Sequence, residues 1–228
     1  MSEPSPDFAT SRDELRNTYA RRFAGHELRR KQVWEVLNRN FFERWVKPDD
    51  SVLDLGAGYC EFINSVRARR KFALDLNPNT SPQAAAEVQV ISQDITQPWS
   101  IDNASVDVVF TSNFLEHLPA KKDLTHCLQE ASRILKSGGR FIALGPNIRF
   151  AYREYWDFFD HYLPLSDRSL VEALEINGFR GEVVIPKFLP YTMKGGMPSH
   201  PLLVRLYLAM PLAWRVLGRQ FFVVASKA

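Results

Sequence analysis

The sequence predicts an α/β fold wound around a parallel sheet, and three observations carry that prediction. Short apolar runs near residues 52–55, 71–76, 87–91, 105–113 and 140–147 recur between stretches of helical periodicity, the alternation expected of βαβ units. The first run passes directly into a turn holding Gly56 and Gly58. The fourth, Val106-Asp107-Val108-Val109-Phe110, is almost continuously apolar, as a central parallel strand covered on both faces must be.

With 228 residues, 45% of them apolar and 24% charged, the chain can bury the core of one large domain. We expect a disordered polar lead-in at 1–12 and a single domain at 13–228, with an N-terminal helical arm at 13–47 and a helical insertion at 190–219. Residues 1–14 lack the basic end and apolar run of a signal peptide. Cys60 and Cys127 are the only cysteines and match no metal spacing or disulfide framework, so a reducing, cytoplasmic setting is expected. A net charge of +3 is too small to predict nucleic-acid binding.

In the arm, Leu15, Tyr19, Phe23, Leu28, Val33, Trp34, Leu37, Phe41, Phe42 and Trp45 recur at roughly helical spacing. Gly25 divides it into two helices, and Arg29, Arg30 and Lys31 read as a solvated face. Next come the first strand and its turn. Glycine admits backbone angles closed to other residues and lets a ligand approach closely. A helix starting near Tyr59 would aim free N–H groups at the same spot and favour an anionic group. A dinucleotide fingerprint needs a third glycine where Glu61 stands, and a carboxylate there would repel a pyrophosphate. That argues against NAD and FAD. Asp75 ends the second strand about 20 residues beyond the turn, where nucleotide-binding folds place a carboxylate for the ribose hydroxyls.

The acidic-x-Gly-x-Gly arrangement of Asp54, Gly56 and Gly58 resembles the first motif of the class I S-adenosylmethionine-dependent methyltransferases, with Cys60 where the family often has another glycine. The likeness continues through Asp94-Ile95 after the third strand, Glu116-His117 after the fourth, and Leu-Lys-Ser-Gly-Gly-Arg-Phe at residues 135–141. It implies S-adenosylmethionine as cofactor, held by Asp54, Gly56, Ala57, Gly58, Asp75, Leu76, Asn77 and Asn113, with Asp94 and Ile95 on the adenine. Tyr19 and Arg22 of the arm are candidates for the methionine end. It also implies a Rossmann-like, doubly wound, seven-stranded, mostly parallel sheet whose last strand is antiparallel. The helix with Leu124, Leu128, Ala131 and Leu135 on one face is expected to end at a basic turn and glycine cap, Lys136-Ser137-Gly138-Gly139. Ser166 should cap the next helix, with strands at 182–189 and 220–226.

Methyl transfer by in-line displacement needs a base only when the acceptor must lose a proton. His117 is one candidate base, with orientation of its loop as the alternative. His161 beside Asp160 is another, in a stretch whose Tyr152, Tyr155, Trp156, Phe158, Phe159 and Tyr162 either wall a pocket or seal the core. No carboxylate cage is visible, so metal independence is expected. DNA is not expected as acceptor: Ser112-Asn113-Phe114-Leu115 is not an amino-methylating motif, and neither cysteine follows a proline. RNA has no motif in its favour. A small molecule, sugar or lipid-linked glycan remains, with O-methylation favoured, and a non-catalytic scaffold that keeps the cofactor is the alternative. The insertion is strongly apolar, yet Arg205 and Arg215 oppose a membrane span. It reads as a lid, an oligomer contact, or an interfacial helix touching a membrane through 199–219.

Overall fold

The computed structural model describes residues 27–191 and 200–228. Tyr19, Arg22, the lead-in and residues 192–199 lie outside them. Helix α1 (Glu27–Asn40) opens the described chain, and a 3-10 turn follows at Phe42–Arg44. Arg29 and Lys31 are exposed as expected, whereas the half-buried Arg30 turns inward to meet Glu61 at 2.8 Å.

Seven strands then build one sheet: β1 (Ser51–Leu55), β2 (Arg70–Leu74), β3 (Val88–Ile91), β4 (Val106–Ser112), β5 (Leu135–Pro146), β6 (Phe179–Ile185) and β7 (Gln220–Lys227). Their order is β3-β2-β1-β4-β5-β7-β6. The first five pair in parallel, and β7 runs antiparallel between β5 and β6. Side chains alternate across the sheet because successive Cβ atoms point to opposite faces. Leu53, Leu55, Phe141, Ala143, Phe221 and Val223 pack on one face with Leu124, Leu128 and Ala131 of α4 (Lys121–Ile134) and Leu170 and Leu174 of α6 (Asp167–Ile176). Val52, Ile142, Leu144, Phe222 and Val224 pack on the other with α1 and the late helices. That second face is rich in rings, including Phe62 stacked on Phe110 at 3.6 Å and Phe41 on Phe188 at 4.1 Å.

Three boundaries differ from those read in the sequence, each for a backbone reason. Helix α2 spans Glu61–Ser65 and starts after Cys60, not at Tyr59. The turn uses left-handed angles at Gly56 (φ 71°), Gly58 (52°) and Cys60 (62°), so helix cannot begin until the last of them. Cys60 thus occupies the conformation that favours glycine, at a cost of about 1–2 kcal/mol. Second, the predicted cap at residues 136–139 lies inside β5. Helix α4 gives way at once to Leu135, which pairs with Val106, while Arg140 already pairs with Val108. The intervening residues bulge opposite Asp107, with Gly138 at φ 70°, and Lys136 Nζ holds both Asp107 oxygens at 2.8 Å. Third, β6 starts at Phe179 and stops at Ile185, because Pro186 has no N–H to extend the ladder.

Ser166 caps α6 as predicted, in a reciprocal pair with Ser169. Short helices α3 (Thr80–Gln83) and α5 (Ile148–Ala151) occupy connections. The insertion is helical in two pieces, α7 (Pro201–Leu208) and α8 (Pro211–Leu217). Pro211 separates them, since it cannot donate within a continuing helix. Val204, Tyr207 and Trp214 are buried against the ring-rich face, and Trp214 Nε1 donates to the Tyr207 carbonyl at 2.9 Å. The outer surface keeps Leu202, Leu206, Leu212, Val216 and Leu217 exposed. Among the described residues no helix is long and apolar enough to cross a membrane.

Candidate active site

The expected cofactor residues that fall within the described chain gather at the C-terminal ends of β1, β2, β3 and β4, where open α/β sheets bind ligands. Gly56 N–H donates to the Leu74 carbonyl at 2.9 Å, closing the turn onto β2. A Cβ on Gly56 would lie 2.3 Å from Phe114 Cγ. Only glycine lets the residue after Asn113 cover this turn. The turn also grips the end of β2: Gly58 N–H donates to Asp75 Oδ2 and Asn77 N–H to Asp75 Oδ1, both at 2.7 Å. Thr80 Oγ1 donates to the Gly58 carbonyl at 2.8 Å. Asp75 is thus held by backbone N–H groups on both oxygens, and the carboxylate keeps room for a further donor.

Burial raises the carboxyl pKa of Asp75 despite the N–H groups of Asn77, Gly58 and Leu76. Asp54 is raised well above the usual range, first by burial and then by the charges of Asp75 and Glu61, against a backbone bond from Ile63. Glu61 is already met by Arg30 at 2.8 Å, which leaves Asp54 and Asp75 as the buried acids of the turn. They suit a ligand that brings hydroxyl or ammonium donors, while the end of five-residue α2 adds at most about half a positive charge.

Asp94 lies past β3, beside β2, where Asp75 N–H meets the Ile91 carbonyl at 3.2 Å. Its Oδ1 accepts from Thr96 N and Oγ1 at 2.9 and 2.8 Å, which leaves the other oxygen for an amine. Ile95 is buried in the apolar core, and its carbonyl accepts from Trp99 Nε1 at 2.9 Å. At the end of β4, Asn113 takes the left-handed region at φ 49°. Its Oδ1 is buried without a partner among the described residues, as are Asn77 Nδ2 and Gln220 Oε1. Asn113 and Gln220 line a cavity of about 190 Å³ whose other walls include Trp34, Leu144, Val204 and Tyr207.

The two candidate bases converge. His117 ends the 3-10 turn Leu115–His117, and its ring lies 4.9 Å from that of His161. His117 Nδ1 is 2.8 Å from the Asp160 carbonyl and 3.3 Å from Asp160 Oδ2. A carbonyl only accepts, so Nδ1 carries a proton, and in the neutral ring Nε2 is the basic nitrogen. Buried His161 stacks on Phe158 at 4.8 Å and packs against Tyr155 at 4.6 Å. Of the aromatic stretch, Tyr155 seals the core, while Tyr152, Trp156 and Phe159 are exposed. Glu116, which the sequence reading did not single out as a site residue, is buried beside both histidines. Its proximity to His161 is invisible in a sequence that separates them by 44 intervening residues (161 − 116 − 1). Neither cysteine is a nucleophile: burial raises both thiols, Cys127 to about 12.

Residues 53–143 match the protein family described as Methyltransferase domain. Among solved structures, the chain is similar to a Haloferax volcanii protein described as a methyltransferase, in complex with the Trm112 methyltransferase activator. Identity is 21% over 95% of this chain and 96% of that one, with a TM-score of 0.67. A SAM-dependent methyltransferase from Archaeoglobus fulgidus is 19% identical over 92% and 98%, TM-score 0.66. Another from Thermotoga maritima is 17% identical over 93% and 95%, TM-score 0.63. No curated protein matches the chain.

Residues 53–143 carry a methyltransferase domain, and the seven-stranded sheet around them has the fold of the class I S-adenosylmethionine-dependent methyltransferases. It is an enzyme, and S-adenosylmethionine is its cofactor. The residues present fit that group: the buried Asp75 carboxylate at the end of β2 can accept from a ribose hydroxyl, and Asp94 keeps an oxygen for an amine.

Proposed function

We propose that this enzyme methylates an oxygen of a small molecule, a sugar or a lipid-linked glycan. The observation that carries the reading is the meeting of His117 and His161 beside Glu116, next to the strand end that bears Asn113. A hydroxyl acceptor must lose its proton, and this is a group of imidazole and carboxylate donors able to manage that loss. When bound, S-adenosylmethionine supplies an electrophilic methyl carbon already activated by its sulfonium. Asp54, Ala57, Gly58, Asp75, Leu76 and Asn77 would hold its ribose and methionine portions, and Asp94 and Ile95 its adenine. Much of the remaining task is alignment and exclusion of water. The cavity near Asn113 supports that role, because its walls are mostly apolar and its two amide oxygens unmatched among the described residues suit a ligand with hydroxyl or ammonium donors.

The insertion acts as a wall of that cavity through Val204 and Tyr207, in keeping with a lid. Its exposed outer leucines, with Arg205 and Arg215 among them, suit contact with a membrane surface if the acceptor is lipid-linked. A cytoplasmic location belongs to the same reading.

The test is transfer of labelled methyl from S-adenosylmethionine to panels of sugars, glycolipids, phenols and RNA. His117→Asn and His161→Asn should lower kcat about 10²–10⁴-fold on an oxygen acceptor and leave cofactor affinity unchanged. Labelling of RNA alone, or undiminished kcat in both variants, would sink the proposal.

A further inference from the structure

We propose that Glu116, His117 and His161 together hold a divalent transition-metal ion. The inference rests on the O-methylation reading only for what the ion would do, not for whether it binds. Each of the three residues offers a donor atom, and all three donors lie within 4.8 Å of one another. An ion bound about 2.0–2.2 Å from each would draw them to roughly 3.4 Å apart, a change within reach of small side-chain rotations.

The donors come from two segments that the backbone clamps together. Tyr162 N–H and Leu163 N–H both donate to the Glu116 carbonyl, at 2.9 and 3.0 Å. Tyr155 Oη in turn donates to the Leu163 carbonyl at 2.7 Å. The carboxylate of Glu116 lies over Gly145 of β5, where an added Cβ would be 3.7 Å from Oε2. The surroundings of His117 are those of a metal-binding imidazole: one ring nitrogen donates to a carbonyl with a carboxylate behind it, fixing the tautomer that presents the other nitrogen. Phe158 and Tyr155 hold the His161 ring in place.

Two imidazoles and one carboxylate suit zinc, iron, cobalt, nickel or manganese rather than magnesium or calcium. Three protein ligands also leave a position open, as catalytic sites do. The sequence-based expectation of metal independence looked for a cage of carboxylates, and a site of this composition needs none. At the open position, an acceptor hydroxyl bound to the ion would ionise more readily. The proton passes to solvent; the oxygen lone pair forms a bond to the methyl carbon; the carbon–sulfur bond breaks with its electrons to sulfur. The products are the methyl ether and S-adenosylhomocysteine.

The test uses the full chain stripped with chelator, titrated with Co²⁺ and followed by visible absorption, then with Zn²⁺ by calorimetry. One ion should bind per chain, with intense cobalt bands of low coordination number. Glu116→Gln and His161→Gln should abolish the bands, and Asp160→Ala should weaken Zn²⁺ about 10- to 100-fold. All three variants should still bind S-adenosylmethionine, which shows that they fold. Absence of one-to-one uptake by wild-type protein that binds the cofactor, or uptake unchanged in both ligand variants, would overturn the proposal. Because no acceptor is present, failure here is separate from failure of the O-methylation reading: an oxygen acceptor could still be methylated by a metal-free, chelator-treated enzyme.

Discussion

The turn after β1, where we propose that the cofactor is held, and the corner of His117 and His161, where we propose that the acceptor is met, are built by different means. Around Gly56, Gly58 and Asp75 the contacts are backbone N–H groups meeting a carboxylate from the next strand, all within one βαβ unit. Around Glu116, His117 and His161 the partners come from the end of β4, the loop before α6, and β5. The first is a device of local geometry and tolerates almost no change in shape. The second depends on long-range docking, and its outer surface tolerates change. Rigidity at the donor and latitude at the acceptor would let one scaffold serve many acceptors.

The sharpest way to break that contrast is Gly56→Ala. The new Cβ meets the Phe114 ring at 2.3 Å and sits at φ 71°. Overpacking and left-handed strain should together cost about 3 kcal/mol, lowering Tm by roughly 10 °C and abolishing cofactor binding. A thermal melt within 2 °C of wild type, a margin of roughly 1 kcal/mol or less, would refute the rigid-turn argument. Next in size is Asp75→Ala. Loss of hydroxyl bonds to a charged carboxylate should weaken S-adenosylmethionine about a hundredfold by calorimetry, and the Gly58 and Asn77 N–H groups left without their acceptor should lower Tm by several degrees as well. An unchanged affinity would move the ribose elsewhere.

Asp54→Asn sharpens the electrostatic side. The folded-state pKa of Asp54 is raised, so the folded state binds more protons than the unfolded one between the two values, and stability falls as pH rises through that window. The cost is complete above the raised pKa and absent below the unfolded value near 3.9. The variant should therefore be more stable than wild type at neutral pH without cofactor, and the gain should vanish as pH approaches 4. Bound cofactor should shrink it. A gain that does not depend on pH would refute the cause assigned here. The smallest effect is expected on the outer insertion: Leu212→Glu with Val216→Glu, both exposed, should change stability by no more than about 0.5 kcal/mol. The pair should still reduce sedimentation with anionic lipid vesicles. Equal sedimentation would remove the membrane from the list of partners.

The same contrast explains what was legible beforehand. The strands, their order of appearance and the turn were readable because strands buried on both faces read as short apolar runs and a left-handed turn favours glycine at fixed positions. Cys60 hid the third left-handed residue, since its side chain gives no hint of φ 62°. The ladder pairing of Leu135 with Val106 overrode a Ser-Gly-Gly run that looks like a helix end. Glu116 was visible only as half of a Glu-His pair, because its closeness to His161 depends on the Tyr162 and Leu163 N–H groups finding its carbonyl.

From sequence alone came the α/β class, the cofactor and the residues proposed to hold it, because that chemistry is written in one short turn and the strand ends beside it. Tertiary structure alone decided which acids crowd the turn, which face of the insertion is buried, and that two distant histidines and a glutamate meet. Local backbone geometry is dictated by neighbouring residue types, whereas convergence of distant side chains is dictated by how whole layers pack.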